Sequence, residues 1–277
     1  MLQFALLRRF ASVFAASLGL LVATPALAQG DLLVAPTRVI INNGGSAEVI
    51  LSNIGSEPAT YRIVLELRRM NAEGDLVEVP EAEANAMEKA ALEMVRYAPR
   101  RILLAPGQPQ AVRITARPAA ELPDGEYRVH MVFRSIPPTI SPEEAERVRA
   151  SGQFQIRLQP VYGISIPLFI RKGRLEGGAA IGTVALERQG AGGSLAIQLS
   201  RTGNRSVYGE VVARDASGQQ IALVRGVALY PEVTQVQVDL GLTPEALARV
   251  KGPIQIEYRE LPENGGKTIA KTTVTLN

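Results

Sequence analysis

The chain has 277 residues, a formal net charge of +3, one histidine, and neither cysteine nor tryptophan. That composition excludes thiol chemistry, disulfides and ordinary zinc sites. With 5% aromatic residues and no concentrated basic run, there is also no electrostatic footprint for nucleic acid.

Arg8 and Arg9 precede an apolar run from Phe10 to Val22, which ends in the small-residue pattern Ala26-Leu27-Ala28. This predicts a secretory signal peptide over residues 1–28, cleaved before Gln29. The apolar run falls short of the ~20 residues of a membrane-spanning helix. Later segments are shorter or more polar, so an exported chain with no stable membrane insertion is expected. Its two arginines leave with the leader, bringing the formal charge from +3 to about +1.

From Asp31 the segments are short, rich in β-formers and separated by turn residues. Leu32 to Ile41 reads as a first strand, then come the turn Asn42-Asn43-Gly44-Gly45 and strands over Ala47 to Leu51 and Thr60 to Leu67. Pro80 to Glu93 is rich in Ala and Glu without a β-branched residue, and predicts a surface helix or mobile insertion. Strands resume over Val95 to Leu104, Gln110 to Ala116 and Tyr127 to Ile136, where Pro137-Pro138 ends the ladder. Ser141-Pro142-Glu143-Glu144 has the chemistry of a helix N-terminus and predicts a short helix. Phe154 to Ile170 then alternates apolar and polar residues over an unusual length, the mark of a strand with one apolar face. Pro160 and Pro167 have opposite parity and leave gaps on opposite edges of a regular strand, with Gly163 between them a candidate bulge.

Several of these stretches together resemble the N-terminal domain of the periplasmic pilus-assembly (fimbrial) chaperones. They are Pro36-Thr37-Arg38-Val39, Pro99 with Leu104-Ala105-Pro106-Gly107, Gln110-Ala111-Val112-Arg113-Ile114, Asp124-Gly125-Glu126 running to Ile136-Pro137, and Ile166-Pro167-Leu168-Phe169. The resemblance implies an all-β fold, two immunoglobulin-like β-sandwich domains at an angle with a cleft between them. It also implies binding of pilus subunits (pilins) that lack their last strand, which the chaperone supplies before delivery to an outer-membrane usher in the periplasm. An alternating strand suits that task, because it satisfies open backbone groups and an apolar groove together. Phe154, Ile156, Leu158, Ile164 and Ile166 are the expected groove fillers, with donation concentrated at Phe154 to Leu158; the competing reading is that they face this protein's own core. The resemblance further implies that Arg38 binds the subunit's terminal carboxylate, which an arginine fork suits. The family's partner lysine falls at Pro167, leaving Arg171 or Lys172 to supply the second charge.

Arg171-Lys172-Gly173-Arg174 predicts a hinge, dividing an N-terminal domain over 30–172 from a C-terminal β-sandwich over 173–277. In the second half seven segments alternate with glycine turns: Thr183 to Leu186, Leu195 to Ser200, Val207 to Ala213, Ile221 to Leu229, Val233 to Leu240, Ile254 to Tyr258 and Thr268 to Leu276. His130 lies in an alternating strand and reads as structural. Gly177-Gly178-Ala179-Ala180-Ile181-Gly182 lacks the Lys-Ser/Thr ending of a phosphate loop. No catalytic residue, metal ligand or cofactor is therefore assigned. The alternative function is a structural or adhesive two-sandwich envelope protein.

Overall fold

The computed structural model describes residues 32–137, 142–150 and 161–276. The expected signal peptide and the positions Phe154, Ile156, Leu158 and Pro160 lie outside the described residues. The strands up to Lys172 are β1 (Leu32–Ala35), β2 (Val39–Asn42), β3 (Gly45–Asn53), β4 (Ala59–Met70), β5 (Leu76–Val79), β6 (Val95–Ala98), β7 (Arg101–Leu104), β8 (Pro109–Ala116), β9 (Gly125–Ile136) and β10 (Gly163–Lys172). They form two sheets, ordered β1-β3-β8-β6 and β2-β10-β9-β4-β5, with β7 also pairing β4. Between the sheets lies one core, in which Leu51, Ile63, Leu104, Ile114, Tyr127, Met131, Phe133, Leu168 and Ile170 are fully buried. Each such side chain contributes about 1.5–3 kcal/mol relative to exposure.

The expected first strand is two strands. Proline at 36 offers no N–H to a ladder, and the chain breaks over Pro36, Thr37 and Arg38. It changes sheets there: β1 pairs β3 antiparallel, while β2 pairs β10 parallel, from Val39 opposite Leu168 to Asn42 opposite Arg171. Arg38 is thereby placed at a crossover between sheets instead of within a ladder.

The Ala- and Glu-rich insertion is a short helix, Ala86–Met94. Its N-terminus is closed by a capping box in which Asn85 accepts from the Glu88 N–H and Glu88 accepts from the Asn85 N–H. Glu88 also takes two bonds from Arg69, at 2.9 and 2.7 Å. Ala91 and Met94 reach the core, so the insertion is a packed lid on the first sandwich and not a mobile excursion. The second expected helix spans Pro142–Ala150.

β10 runs in unbroken register against β9, Gly163 opposite Arg134 through Lys172 opposite Gly125, so the bulge expected at Gly163 is absent. Its even-numbered residues face the core. Ile166 is 2% exposed inside it and Ile164 packs against it half-buried. This corrects the expectation that Ile164 and Ile166 project toward a partner: the inward side of a sandwich strand is already filled by its own opposite sheet. Ile166→Ala is accordingly expected to cost about 2–5 kcal/mol of stability, read as a lower urea midpoint at unchanged m-value; an unaltered midpoint would contradict this placement.

The remaining strands are β11 (Gly177–Gln189), β12 (Gly192–Gly203), β13 (Val207–Arg214), β14 (Gln220–Leu229), β15 (Gln235–Leu242), β16 (Pro253–Arg259) and β17 (Thr268–Thr275). They make sheets β11-β12-β15 and β14-β13-β16-β17 around a second core of Leu195, Ile197, Leu199, Val211, Leu229, Leu240, Ile254, Ile256 and Tyr258. A buried carboxylate, Glu210, is satisfied there by Arg225 and by two bonds from Arg259. Arg171-Lys172-Gly173 makes the passage between the sandwiches, and it is pinned: the Asn43 N–H donates to the Arg171 carbonyl at 2.6 Å and the Gly173 N–H to Asn43 Oδ1 at 2.9 Å. Gly173 has φ +76°, and a Cβ there would lie 1.9 Å from the Asp124 carboxyl. Only glycine fits this turn without displacing Asp124.

Candidate functional site

The odd-numbered residues of β10 face away from the first core. Phe169 on that side is fully buried, and packs into the second core against Tyr230, ring centroids 5.9 Å apart. Pro167 and Arg171 from the same face line a cleft of about 800 Å³ between the two sandwiches, with Arg38, Arg205, Ser206, Tyr208 and Tyr230 also in its walls.

Arg38 is the organising side chain of this cleft. Its guanidinium carbon lies 4.1 Å from the ring centre of Phe169 and 4.4 Å from that of Tyr208, so it rests on one ring from each sandwich. Stacking of this kind orients the plane and leaves only the N–H edge free. One edge nitrogen donates to Ser206 Oγ at 3.4 Å, and among the described residues no carboxylate pairs with the group. Burial pushes the Arg38 pKa down from its ordinary value, partly offset by Tyr230 and Glu126. The guanidinium stays charged, so the arrangement holds a desolvated cation ready for an anion that approaches edge-on.

Glu126 closes the floor between the sandwiches. Its side chain is wholly inaccessible; Oε2 accepts from Arg171 Nε at 2.9 Å, and Oε1 accepts from the Ser206 N–H of the second sandwich at 3.0 Å. Arg171 therefore lines the cleft with its charge already matched. Lys172, of opposite parity, points elsewhere and donates to the carbonyls of Ala120 and Leu122. Of the two expected substitutes for the missing lysine, one is neutralised and the other faces away. Sequence reasoning missed Glu126, Ser206 and Tyr208. Glu126 lay inside a quoted motif, but its partner Ser206 is 80 residues away, and no local pattern links them.

A second contact reinforces this junction. Arg128 stacks on Tyr230, 3.7 Å from its ring centre, and pairs with Glu232, which also accepts the Met70 N–H. Arg128, Tyr230, Phe169, Arg38 and Tyr208 thus form one continuous run of cations and rings across the two sandwiches.

The free backbone edge of β10 adjoins the cleft. The Ser135 N–H donates to the Tyr162 carbonyl, and the Asn43 N–H to the Arg171 carbonyl. In an antiparallel ladder such bonding alternates, so even-numbered β10 residues bond to β9 and odd-numbered ones face the other edge. β2 covers that edge only alongside Leu168 to Arg171. Gly163 and Ser165 turn their main-chain groups to an edge with no strand partner among the described residues. The proline gap at 167 falls on the same edge and leaves the β9 ladder intact.

His130 is structural in placement: 2% exposed, opposite Pro167 on β10 and Glu66 on β4, with no hydrogen-bond partner at either ring nitrogen among the described residues. Burial first, then Arg128, Arg68 and Arg38, pull its pKa from 6.5 to about 3. A base whose folded pKa is depressed leaves the unfolded chain holding more protons between those values, so stability falls as pH drops through that window. The full loss is on the order of 5 kcal/mol. Glu88, Glu245 and Asp215, carboxyls with lowered pKa values, begin to contribute only below their ordinary 4.5, 4.5 and 3.8. Between pH 6.5 and 4.5 the decline is therefore expected to belong to His130. His130→Leu should flatten it in urea titrations across that interval; an equally steep decline in the variant would refute this assignment.

Among the described residues, no group of three or more His, Asp or Glu could hold a metal ion, and no helix is long and apolar enough to cross a membrane. No protein-family model and no curated relative matches the sequence. The chain is similar to solved structures. One is the chaperone DraB of E. coli, with 15% identity and a TM-score of 0.47, covering 89% of this chain and 97% of that one. Another is the CupB2 chaperone of Pseudomonas aeruginosa, with 14% identity and a TM-score of 0.46, covering 88% and 100% respectively. A third is the CsuC-CsuE chaperone-tip adhesion subunit pre-assembly complex of Acinetobacter baumannii, with 14% identity and a TM-score of 0.46, covering 89% and 98%.

Proposed function

We propose that this protein is a periplasmic chaperone that binds pilus subunits by anchoring a chain-terminal carboxylate on Arg38 and lending strand edge to an incomplete β-sandwich. The observation that carries this reading is the adjacency of an unpaired, ring-clamped guanidinium and an unpartnered strand edge, Gly163 to Ile166, leading out of the same cleft. An incomplete sandwich presents the complement of both: open N–H and C=O groups along an edge, and a terminal carboxylate at the end of its last strand. Phe154, Ile156 and Leu158 are the proposed groove fillers, because Ile164 and Ile166 are committed to this protein's own core. Delivery to an outer-membrane usher and export by a cleaved leader complete the proposal. On this reading the work is binding.

The test is co-expression with a small exported pilin that lacks its last strand, followed by size-exclusion chromatography. A one-to-one complex is expected, lost in Ile156→Asp and weakened in Arg38→Ala. A complex undiminished by both changes, or self-association without any pilin, would favour the structural envelope protein instead.

A further inference from the structure

We infer that Arg205, on the second sandwich, is the second cation of the carboxylate site, so that the anchor is assembled from both sandwiches. This rests on the reading of the cleft as a carboxylate anchor. Arg171 is matched by Glu126, and Lys172 is bound to carbonyls on the opposite face. Arg205 lines the same cleft as Arg38. The two guanidinium groups converge on one residue: Arg38 Nη2 donates to Ser206 Oγ at 3.4 Å, and Arg205 Nη1 donates to the Ser206 carbonyl at 3.3 Å. Neither has a carboxylate partner among the described residues, although Glu260 and Glu263 also line the cleft. Two unpaired like charges at one residue repel, and a single anion between them relieves both. Arginine suits that position, since each fork retains free N–H donors in its plane.

Arg205 is also seated in place. A Cβ added at Gly177 would lie 2.8 Å from its Cγ and 3.3 Å from its guanidinium carbon. Gly177 therefore leaves room for the arginine to lie along the start of β11, and a side chain at 177 would push it out of the cleft. Because Ser206 also donates its N–H to Glu126, a carboxylate held by both arginines would draw on the contact that joins the sandwiches.

The experiment is an NMR titration of the full mature chain, following the arginine Nε–H resonances. The probe is an N-acetylated pentapeptide of alternating valine and threonine with a free terminal carboxylate; its amidated twin is the control. The acid is expected to shift the signals of both Arg38 and Arg205, and the amide neither. Arg205→Ala should weaken binding about tenfold, which corresponds to about 1.4 kcal/mol. Arg205→Lys should recover part of the loss, and Gly177→Val should weaken binding with the arginine still present. Melting temperatures close to the parent are expected for the position 205 variants, because among the described residues the side chain makes a single hydrogen bond, to its neighbour's carbonyl. If the acid shifts Arg38 alone, and Arg205→Ala and Gly177→Val bind as the parent does, the role of Arg205 is overturned while the carboxylate site stands. If acid and amide bind alike, or Arg38→Ala has no effect, the anchor reading falls together with it.

Discussion

Glu126→Ala is expected to lower the free energy of unfolding by about 3–5 kcal/mol, the cost of breaking a buried pair by removing one partner. The carboxylate has no solvent access, so nothing replaces its two bonds when it is removed. Arg171, with 19% of its side chain exposed, loses its only counter-charge among the described residues. The Ser206 N–H, in a residue 1% exposed, loses its acceptor. Both losses fall at the junction of the sandwiches, so the effect is expected to reach beyond stability to their mutual placement. Glu126→Gln should be the milder change: an amide oxygen still accepts the Ser206 N–H, while the ion pair with Arg171 is gone. Urea unfolding checks the order, parent above Gln above Ala. Small-angle scattering checks the second consequence, a larger radius of gyration for the Ala variant. A Glu126→Ala protein with the parent's midpoint and dimensions would show that the cation and ring contacts alone hold the junction.

The strand periodicities were legible because they are local. Each of the seven segments read as strands in the second half falls largely within one of β11 to β17, with Val233 to Leu240 shifted to Gln235–Leu242. Alternation also marked β10, and it identified Ile164 and Ile166 correctly as one face; what it left open was whether that face meets a partner or the opposite sheet. Burial settles this for those two residues, because sheet β1-β3-β8-β6 already covers them. The break at Pro36 was hidden inside an otherwise continuous run, since a strand that changes sheets keeps its β-formers on both sides. The site was half legible. Arg38 stood in a recognisable motif, but Tyr208, Ser206 and Arg205 lie about 170 residues farther on, in a stretch, Asn204 to Gly209, that carries only a weak local resemblance and no sign of a link to Arg38. The packing of Phe169 into the second core, with the Glu126–Ser206 and Arg128–Tyr230 contacts, brings them to Arg38.

Arg38→Ala is expected to weaken subunit binding by about 2–5 kcal/mol, the range for removing one partner of a desolvated, hydrogen-bonded charge pair. The loss should appear mainly as faster dissociation, because the group acts after docking and lies in a cleft instead of on a steering surface. Arg38→Lys is expected to recover little. An ammonium has no plane to lie between Phe169 and Tyr208, and it cannot present two parallel donors to a carboxylate. Phe169→Ala separates these contributions: it keeps the arginine but removes one of the rings that orient it, and it opens a cavity in the second core. Its binding loss should therefore come with a stability loss of about 3–5 kcal/mol, whereas Arg38→Ala should bind poorly while unfolding near the parent's midpoint. Dissociation rates from surface plasmon resonance, set beside urea midpoints for the three variants, decide the matter. An Arg38→Lys protein that binds like the parent would mean that charge alone suffices, and that the stacking of Arg38 between the two sandwiches serves their junction and not the ligand.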